Sequence, residues 1–202
     1  MTLLVNHPEH ATLREALQRN IVLRRLPREA FDELEGQLAV VDYRKGDVLL
    51  SQGAHDMEQY FVIDGILKRV VASPEGKEMI LRFAAEDDMD TSYAAWKLRT
   101  PAPYSIRCVT KARVAKIALP QWAAFLERHP DLKDDFEYEI MHLMSEVMAH
   151  TITLHLLDAP GRVHRFERKH PELSERVPKK ELASYLNLSA ETLSRLKHAG
   201  KI

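Results

Sequence analysis

The feature that most restricts how this chain can fold is a stretch of eighty residues, 40–119, in which short apolar runs alternate with turn residues. Residues 40–43 lead into Lys45-Gly46, residues 47–50 into Gln52-Gly53, and residues 60–63 into Asp64-Gly65. The last dipeptide suits a two-residue hairpin, because both of its positions tolerate a positive φ. Residues 66–71 follow, Ser73-Pro-Glu-Gly76 turns the chain into residues 77–83, and residues 105–109 with 113–117 make a final pair. Six or seven strands at this spacing predict an antiparallel sandwich, barrel or roll.

Helical periodicity brackets that stretch. Before it, Leu13, Leu17 and Ile21 recur four apart, and Phe31, Leu34 and Leu38 mark a second helix. After it, Pro120 can occupy the first turn of a helix carrying Trp122, Phe125 and Leu126. Pro130 begins a much longer helix that runs to about residue 157. Along it Phe136, Ile140, Leu143, Val147, His150, Leu154 and Leu157 alternate four and three apart. That repeat keeps one seam facing a partner helix, so these residues are expected to form a homodimer interface. Met141, Met144, Met148 and Ile152 widen the stripe, leaving one side for the strand domain and the other for a second subunit. A single amphipathic helix buried within its own monomer gives the same pattern. His150 is read as an interface histidine; a protonation-sensitive contact and a metal or haem ligand are the alternatives.

Two helix breakers within Asp158-Ala-Pro-Gly161 mark a domain boundary. The expected organisation is residues 1–129 as a strand-rich sensor domain with amino-terminal helices, 130–158 as the dimerisation helix, and 159–202 as a helix-turn-helix domain. The run Lys180-Glu-Leu-Ala-Ser-Tyr-Leu-Asn-Leu-Ser-Ala-Glu-Thr-Leu-Ser-Arg-Leu-Lys197 carries that last motif. Ala183 is the small residue needed where two helices cross, and Leu182, Leu186, Leu188, Leu193 and Leu196 surround it. Asn187 accepts the left-handed backbone of the turn, and Ser189 is placed to cap the second helix. Such a helix enters the major groove of duplex DNA by its amino-terminal half. Arg195 can then grip guanine O6 and N7, and Glu191 can accept from cytosine N4 or adenine N6. Ala190 and Ser194 lie beside them, with Lys197 and His198 further round. Lys179 and Lys180 are expected on phosphates, where they set register. The expected DNA-binding set is therefore Lys179, Lys180, Ser189, Glu191, Ser194, Arg195 and Lys197.

Charge is distributed accordingly. The chain as a whole carries only −1, yet residues 160–202 hold ten Lys or Arg against five Glu, a balance of +5 that leaves −6 for the rest. Lys and Arg displace counterions from phosphates, so this asymmetry fits a nucleic-acid-binding tail on an acidic sensor. Enzyme function is not expected: no nucleophile–base constellation, metal-ligand spacing or glycine-rich phosphate loop is present. Cys108 is the single cysteine, which excludes an internal disulfide framework. No apolar run approaches the roughly 20 residues that cross a bilayer. The first residues carry neither a basic leader nor a small-residue cleavage site. No membrane partner and a cytoplasmic location are expected.

This order of strands, long helix and helix-turn-helix resembles the cyclic-AMP receptor / fumarate-nitrate regulator (CRP/FNR) family over residues 20–202. Tyr43-Arg-Lys-Gly-Asp-Val-Leu-Leu-Ser-Gln-Gly53 and Tyr60-Phe-Val-Ile-Asp-Gly-Ile-Leu67 carry the likeness at one end, Glu191-Thr-Leu-Ser-Arg195 at the other. The resemblance implies an α+β chain: an antiparallel β-roll of the cyclic-nucleotide-binding-like, double-stranded β-helix type, a long dimerisation helix, and a carboxy-terminal helix-turn-helix. It implies a homodimeric transcription regulator on palindromic double-stranded DNA, with RNA polymerase as a further partner and a TTGA-like half-site. The alternative is an effector-sensing or scaffold dimer that has lost DNA binding and acts through protein contacts.

Three departures qualify the likeness. Members that bind cyclic nucleotide hold the ribose with a Gly-Glu pair and the phosphate with an Arg-Ser pair; Thr91-Ser92 and Ala102-Pro103 stand there in this chain. A buried phosphate without a cationic partner is costly, so cyclic AMP is not expected as the effector, no cofactor is expected, and any small effector is unidentified. Arg82, Arg99 or Arg107 could reach in from another direction, although surface roles suit them better. The amino-terminal cysteines of iron–sulfur members are missing, while the ten histidines leave a haem ligand open. Finally, the sequence stops at Gly200-Lys-Ile202, where longer members continue into a β-hairpin wing. Phosphate contacts are therefore expected to shift to residues such as Arg162, Arg165 and Lys169.

Overall fold

The computed structural model describes residues 2–76 and 78–200. It opens with a short strand, β1 (Thr2–Leu3), and two helices, α1 (His10–Arg19) and α2 (Arg28–Glu35). The α1 and α2 apolar faces bury Leu13, Leu17, Phe31 and Leu34 in the main core. The strands β2 (Ala39–Tyr43), β3 (Val48–Leu50), β4 (Glu58–Asp64), β5 (Leu67–Ala72), β6 (Glu78–Ala84) and β7 (Met89–Thr91) follow. A five-residue helix, α3 (Tyr93–Lys97), separates them from β8 (Ser105–Cys108) and β9 (Ala112–Ala118). Two antiparallel sheets result, ordered β1-β2-β9-β4-β7 and β3-β8-β5-β6. This is the antiparallel roll the turn pattern predicts, with β1 and β7 added. In the first sheet Ala115 pairs with Val40 on one side and Phe61 on the other, so the small residue sits in the middle strand. Two expected strand pairs do not form, since β4 and β5, like β8 and β9, lie in different sheets. The chain crosses between sheets at Gly65, whose φ is 92° and where a Cβ would stand 2.3 Å from Lys111 O. Only glycine fits there.

Pro120 lies in the first turn of α4 (Leu119–Arg128), as its fixed φ favours. Trp122 on that helix is fully buried, with Phe61 and Phe136 each 5.4 Å away edge-on. The long helix α5 (Pro130–Leu156) runs 27 residues, and Leu157 is its carboxy-terminal cap residue. Asp158 then caps α6 (Ala159–Lys169), its Oδ1 accepting from Gly161 N at 3.0 Å. A single turn, α7 (Pro171–Ser174), leads to α8 (Lys179–Tyr185) and α9 (Ala190–His198). Among the described residues no helix is long and apolar enough to cross a membrane.

The carboxy-terminal helices rest on the roll. Strand β5 is buried on both faces: Leu67 points into the main core, while Val70 joins a second cluster with Phe83, Phe166, Leu182 and Tyr185. Two ion pairs flank this contact, Lys68 to Glu181 at 2.6 Å and Arg176 to Glu86 at 2.7 Å.

The position of α5 bears on the expected dimer seam. Phe136, Leu143 and His150, three of the seven residues assigned to the dimer seam, are covered by the chain itself: 0%, 5% and 9% exposed. Phe136 packs edge-on against Tyr93 and Trp122, and Leu143 joins the main core. Ile140, Val147 and Leu154 are half-buried on the same side, and Leu157 is exposed beyond the end of the helix. At about 100° per residue, the stripe of Tyr138, Met141, Met144, Met148, Ile152 and Leu156 lies nearly opposite. All six are exposed, Met148 at 65%. The helix is apolar on two sides, and its own domain takes the side with the more regular repeat.

Candidate nucleic-acid interface

Helices α8 and α9 form the helix-turn-helix with the local chemistry its sequence requires. Leu182, Ala183, Leu186 and Leu193 are buried where the helices meet. Asn187 holds the turn at φ 52°, a left-handed conformation that asparagine tolerates. Ser189 Oγ accepts from Thr192 N at 3.0 Å and lies 2.9 Å from Thr192 Oγ1, so this hydroxyl is committed to capping α9.

On α9, Glu191, Ser194, Arg195 and His198 follow three- and four-residue spacing, share one face, and are all exposed. Thr192 Oγ1 accepts from Arg195 Nη2 at 3.4 Å, which leaves the rest of that guanidinium directed outward. Lys179 and Lys180 at the start of α8, and Lys197 on α9, are exposed and form no ion pair among the described residues. The seven expected DNA contacts thus fall into a solvent-facing group of six and one capping serine.

The substitute phosphate contacts fare differently. Arg162 is turned inward, donating from Nη2 to Leu154 O at 2.7 Å, from Nε to Leu157 O at 2.9 Å and from Nη1 to Leu186 O at 3.2 Å. Lys169 pairs with Glu146 of α5 at 2.6 Å. Of the three, only Arg165 forms no ion pair or hydrogen bond among the described residues. The wing expectation concerns chain beyond Gly200, outside the described residues.

His150 is an internal joint. Its ring stacks on Tyr185 at 3.8 Å, and Nε2 lies 3.0 Å from Tyr185 O. A carbonyl only accepts, so Nε2 carries the proton. Burial pulls the imidazole from its ordinary 6.5 down to about 4. The folded state therefore binds a proton less readily than the unfolded chain. Its contribution is complete above about pH 6.5 and is lost as pH falls towards 4, by roughly 3 kcal/mol. The stability of His150→Gln is expected to fall less across that interval than that of the parent chain; parallel denaturant-midpoint profiles would contradict this.

In the roll, of the positions expected to meet ribose and phosphate, Pro103 is exposed and the other three lie among internal contacts. Arg69, 4% exposed, donates from Nε to Asp90 Oδ1 at 2.6 Å and from Nη2 to Thr91 O at 2.9 Å. The Tyr104 ring lies 4.6 Å from that guanidinium, and its hydroxyl donates to Thr91 O at 2.7 Å. Thr91, Ser92 and Ala102 are all buried. Of the arginines the sequence offered as substitutes, Arg107 pairs with Glu78, Arg99 is exposed at φ 56°, and Arg82 reaches the edge of the roll beside Asp88. Arg69 itself escaped the sequence reading. Its signal was the Lys68-Arg69 pair inside an otherwise apolar strand.

A β-roll joined by one long helix to a helix-turn-helix defines the class: a sensor-type domain coupled to a DNA-binding-type module. Residues 40–129 match the cyclic nucleotide-binding domain family. The chain is 20% identical over 164 residues to the cAMP-activated global transcriptional regulator CRP of Salmonella typhimurium, covering 76% of this chain and 78% of that one. Its fold is similar to the c-di-GMP responsive global regulator CLP of Xanthomonas campestris, with a TM-score of 0.70 at 16% identity, covering 86% and 92% of the two chains. FixK2 of Bradyrhizobium japonicum is similar at a TM-score of 0.67 and 16% identity, over 81% and 86%. The roll is therefore similar to cyclic nucleotide-binding domains, and the whole chain shares its fold with these proteins.

Proposed function

We propose that this chain is a sequence-specific DNA-binding transcription regulator that works as a homodimer and is not gated by cyclic AMP. The observation that carries this reading is the exposed face of α9. Glu191, Ser194 and Arg195 project together from a helix anchored by buried Leu193 and capped by Ser189. The twofold partner is a second copy, joined through the Tyr138–Met148–Leu156 side of α5, where six large apolar residues are uncovered. A cyclic nucleotide would have to break the Arg69–Asp90 pair to gain a cation for its phosphate, and a buried charge left alone is costly.

Binding to a palindromic duplex bearing TTGA-like half-sites tests the proposal. Affinity is expected to fall steeply with salt yet keep a preference for that duplex over a scrambled one. Arg195→Ala should cost about 1–3 kcal/mol on the preferred site and flatten base preference. Added cyclic AMP should leave the isotherm unchanged. A scaffold that had lost DNA binding would show no sequence preference at any ionic strength.

A further inference from the structure

A cavity of about 340 Å3 opens where the roll, α5 and the carboxy-terminal helices meet. That volume lies within the roughly 300–1,000 Å3 range of small-molecule sites. Its base is aromatic: Phe83 and Phe166 lie 5.2 and 5.4 Å from the Tyr185 ring. Arg82, Tyr185 and His170 bring polar atoms to the same space.

Arg82 is the unusual member. Its side chain is only 12% exposed, yet its one hydrogen bond among the described residues runs from Nη1 to Met89 O at 2.9 Å. The carboxylates of Asp88 and Asp90 stand off at 3.6 and 4.0 Å, too far to accept from it. A guanidinium carries five donors in a planar fork that matches a carboxylate. Most of that fork is unused here. Tyr185 shows a similar lack, since its hydroxyl bonds to no described residue.

Acids also rim the cavity, and most are already answered. Lys169 pairs with Glu146 at 2.6 Å, Arg176 with Glu86 at 2.7 Å, and Glu172 lies 4.0 Å from His170 Nδ1. Asp88 is the remaining competitor for Arg82, and it makes no hydrogen bond to it. A ligand acid with two oxygens can take the position that Asp88 fills only loosely.

We propose that this cavity is the binding site for a small aromatic carboxylate, its acid held by Arg82 and the Tyr185 hydroxyl and its ring lying over Phe166. The site rests on the regulator reading and gives that regulator an effector pocket outside the roll. A ligand there touches β6, α5 and the DNA-binding end at once, so it fastens the docked arrangement of the three.

The test uses the full chain with benzoate as probe and benzamidine, of the same shape and opposite charge, as control. Benzoate is expected to raise the melting temperature in a concentration-dependent way, and benzamidine to leave it unchanged. Arg82→Gln should weaken benzoate about tenfold or more, and Tyr185→Phe several-fold. The second variant removes a single hydroxyl with no hydrogen-bond partner among the described residues, so it decides the matter if Arg82→Gln does not fold. Stabilisation by benzamidine instead, no response to millimolar benzoate, or unchanged benzoate affinity in Tyr185→Phe overturns the site. Operator binding measured without benzoate separates the two readings. DNA binding with no benzoate response removes the cavity proposal alone, and a benzoate response without DNA binding removes the regulator reading alone.

Discussion

Glutamate at both Met144 and Met148 is expected to leave a folded chain that sediments as a monomer and binds its operator at least about a hundredfold more weakly. Both methionines are more than half exposed, so the substitutions disturb no packing within the chain. In a twofold dimer they would set four like charges against a closely packed apolar seam. Loss of the partner makes the second half-site contact bimolecular again, and tethered second contacts are typically worth about 10²–10⁴ in affinity. The same charge placed at Leu143 has a different outcome, since that residue is in the main core and the chain would unfold before it dissociated. Sedimentation velocity with a matched DNA titration reads both effects. A variant that stayed dimeric would move the interface to another face of the molecule.

The second large effect is expected inside the roll. Asp90→Ala should lower the unfolding free energy by about 3–5 kcal/mol, because it strands the Arg69 guanidinium in a site with almost no access to water. Removing both charges, as Arg69→Met with Asp90→Ala, should restore much of that loss, since an uncompensated charge costs more than an absent pair. Urea denaturation of the single and double variants measures the difference. A single-variant loss below about 1 kcal/mol would mean that Arg69 had found another partner or solvent.

These two regions also show what the sequence could and could not disclose. The helix-turn-helix was legible almost residue by residue, because Ala183, Asn187 and Ser189 each answer a purely local demand: a close crossing, a left-handed turn and an orphan amide. The break at Asp158-Ala-Pro-Gly161 was legible for the same reason, whereas the turn residues Asp64-Gly65 gave the bend but not its partners, since β4 and β5 belong to different sheets. Strand β7 was not, since Met89-Asp-Thr shows no alternation and buries an acid whose cationic partner, Arg69, lies 21 residues earlier. The α5 periodicity shows two apolar sides, and the structure covers Phe136, Leu143 and His150 of one of them within the chain. A regular apolar repeat says that a face is covered, and nothing in it says whether by the same chain or another. The docking of α8 on β6 was likewise invisible, because Lys68–Glu181 and Arg176–Glu86 join residues about a hundred positions apart.

Arg162 carries a further consequence. One side chain closes the carbonyl ends of two helices, Leu154 and Leu157 at the end of α5 and Leu186 at the end of α8. A swing of α6–α9 about Asp158 would strip the acceptors at the end of α5 and leave the bond to Leu186, which lies on the same side of the joint as Arg162. The same guanidinium thus ties the start of α6 both back to the long helix and forward to α8, so a substitution at Arg162 would loosen two junctions at once.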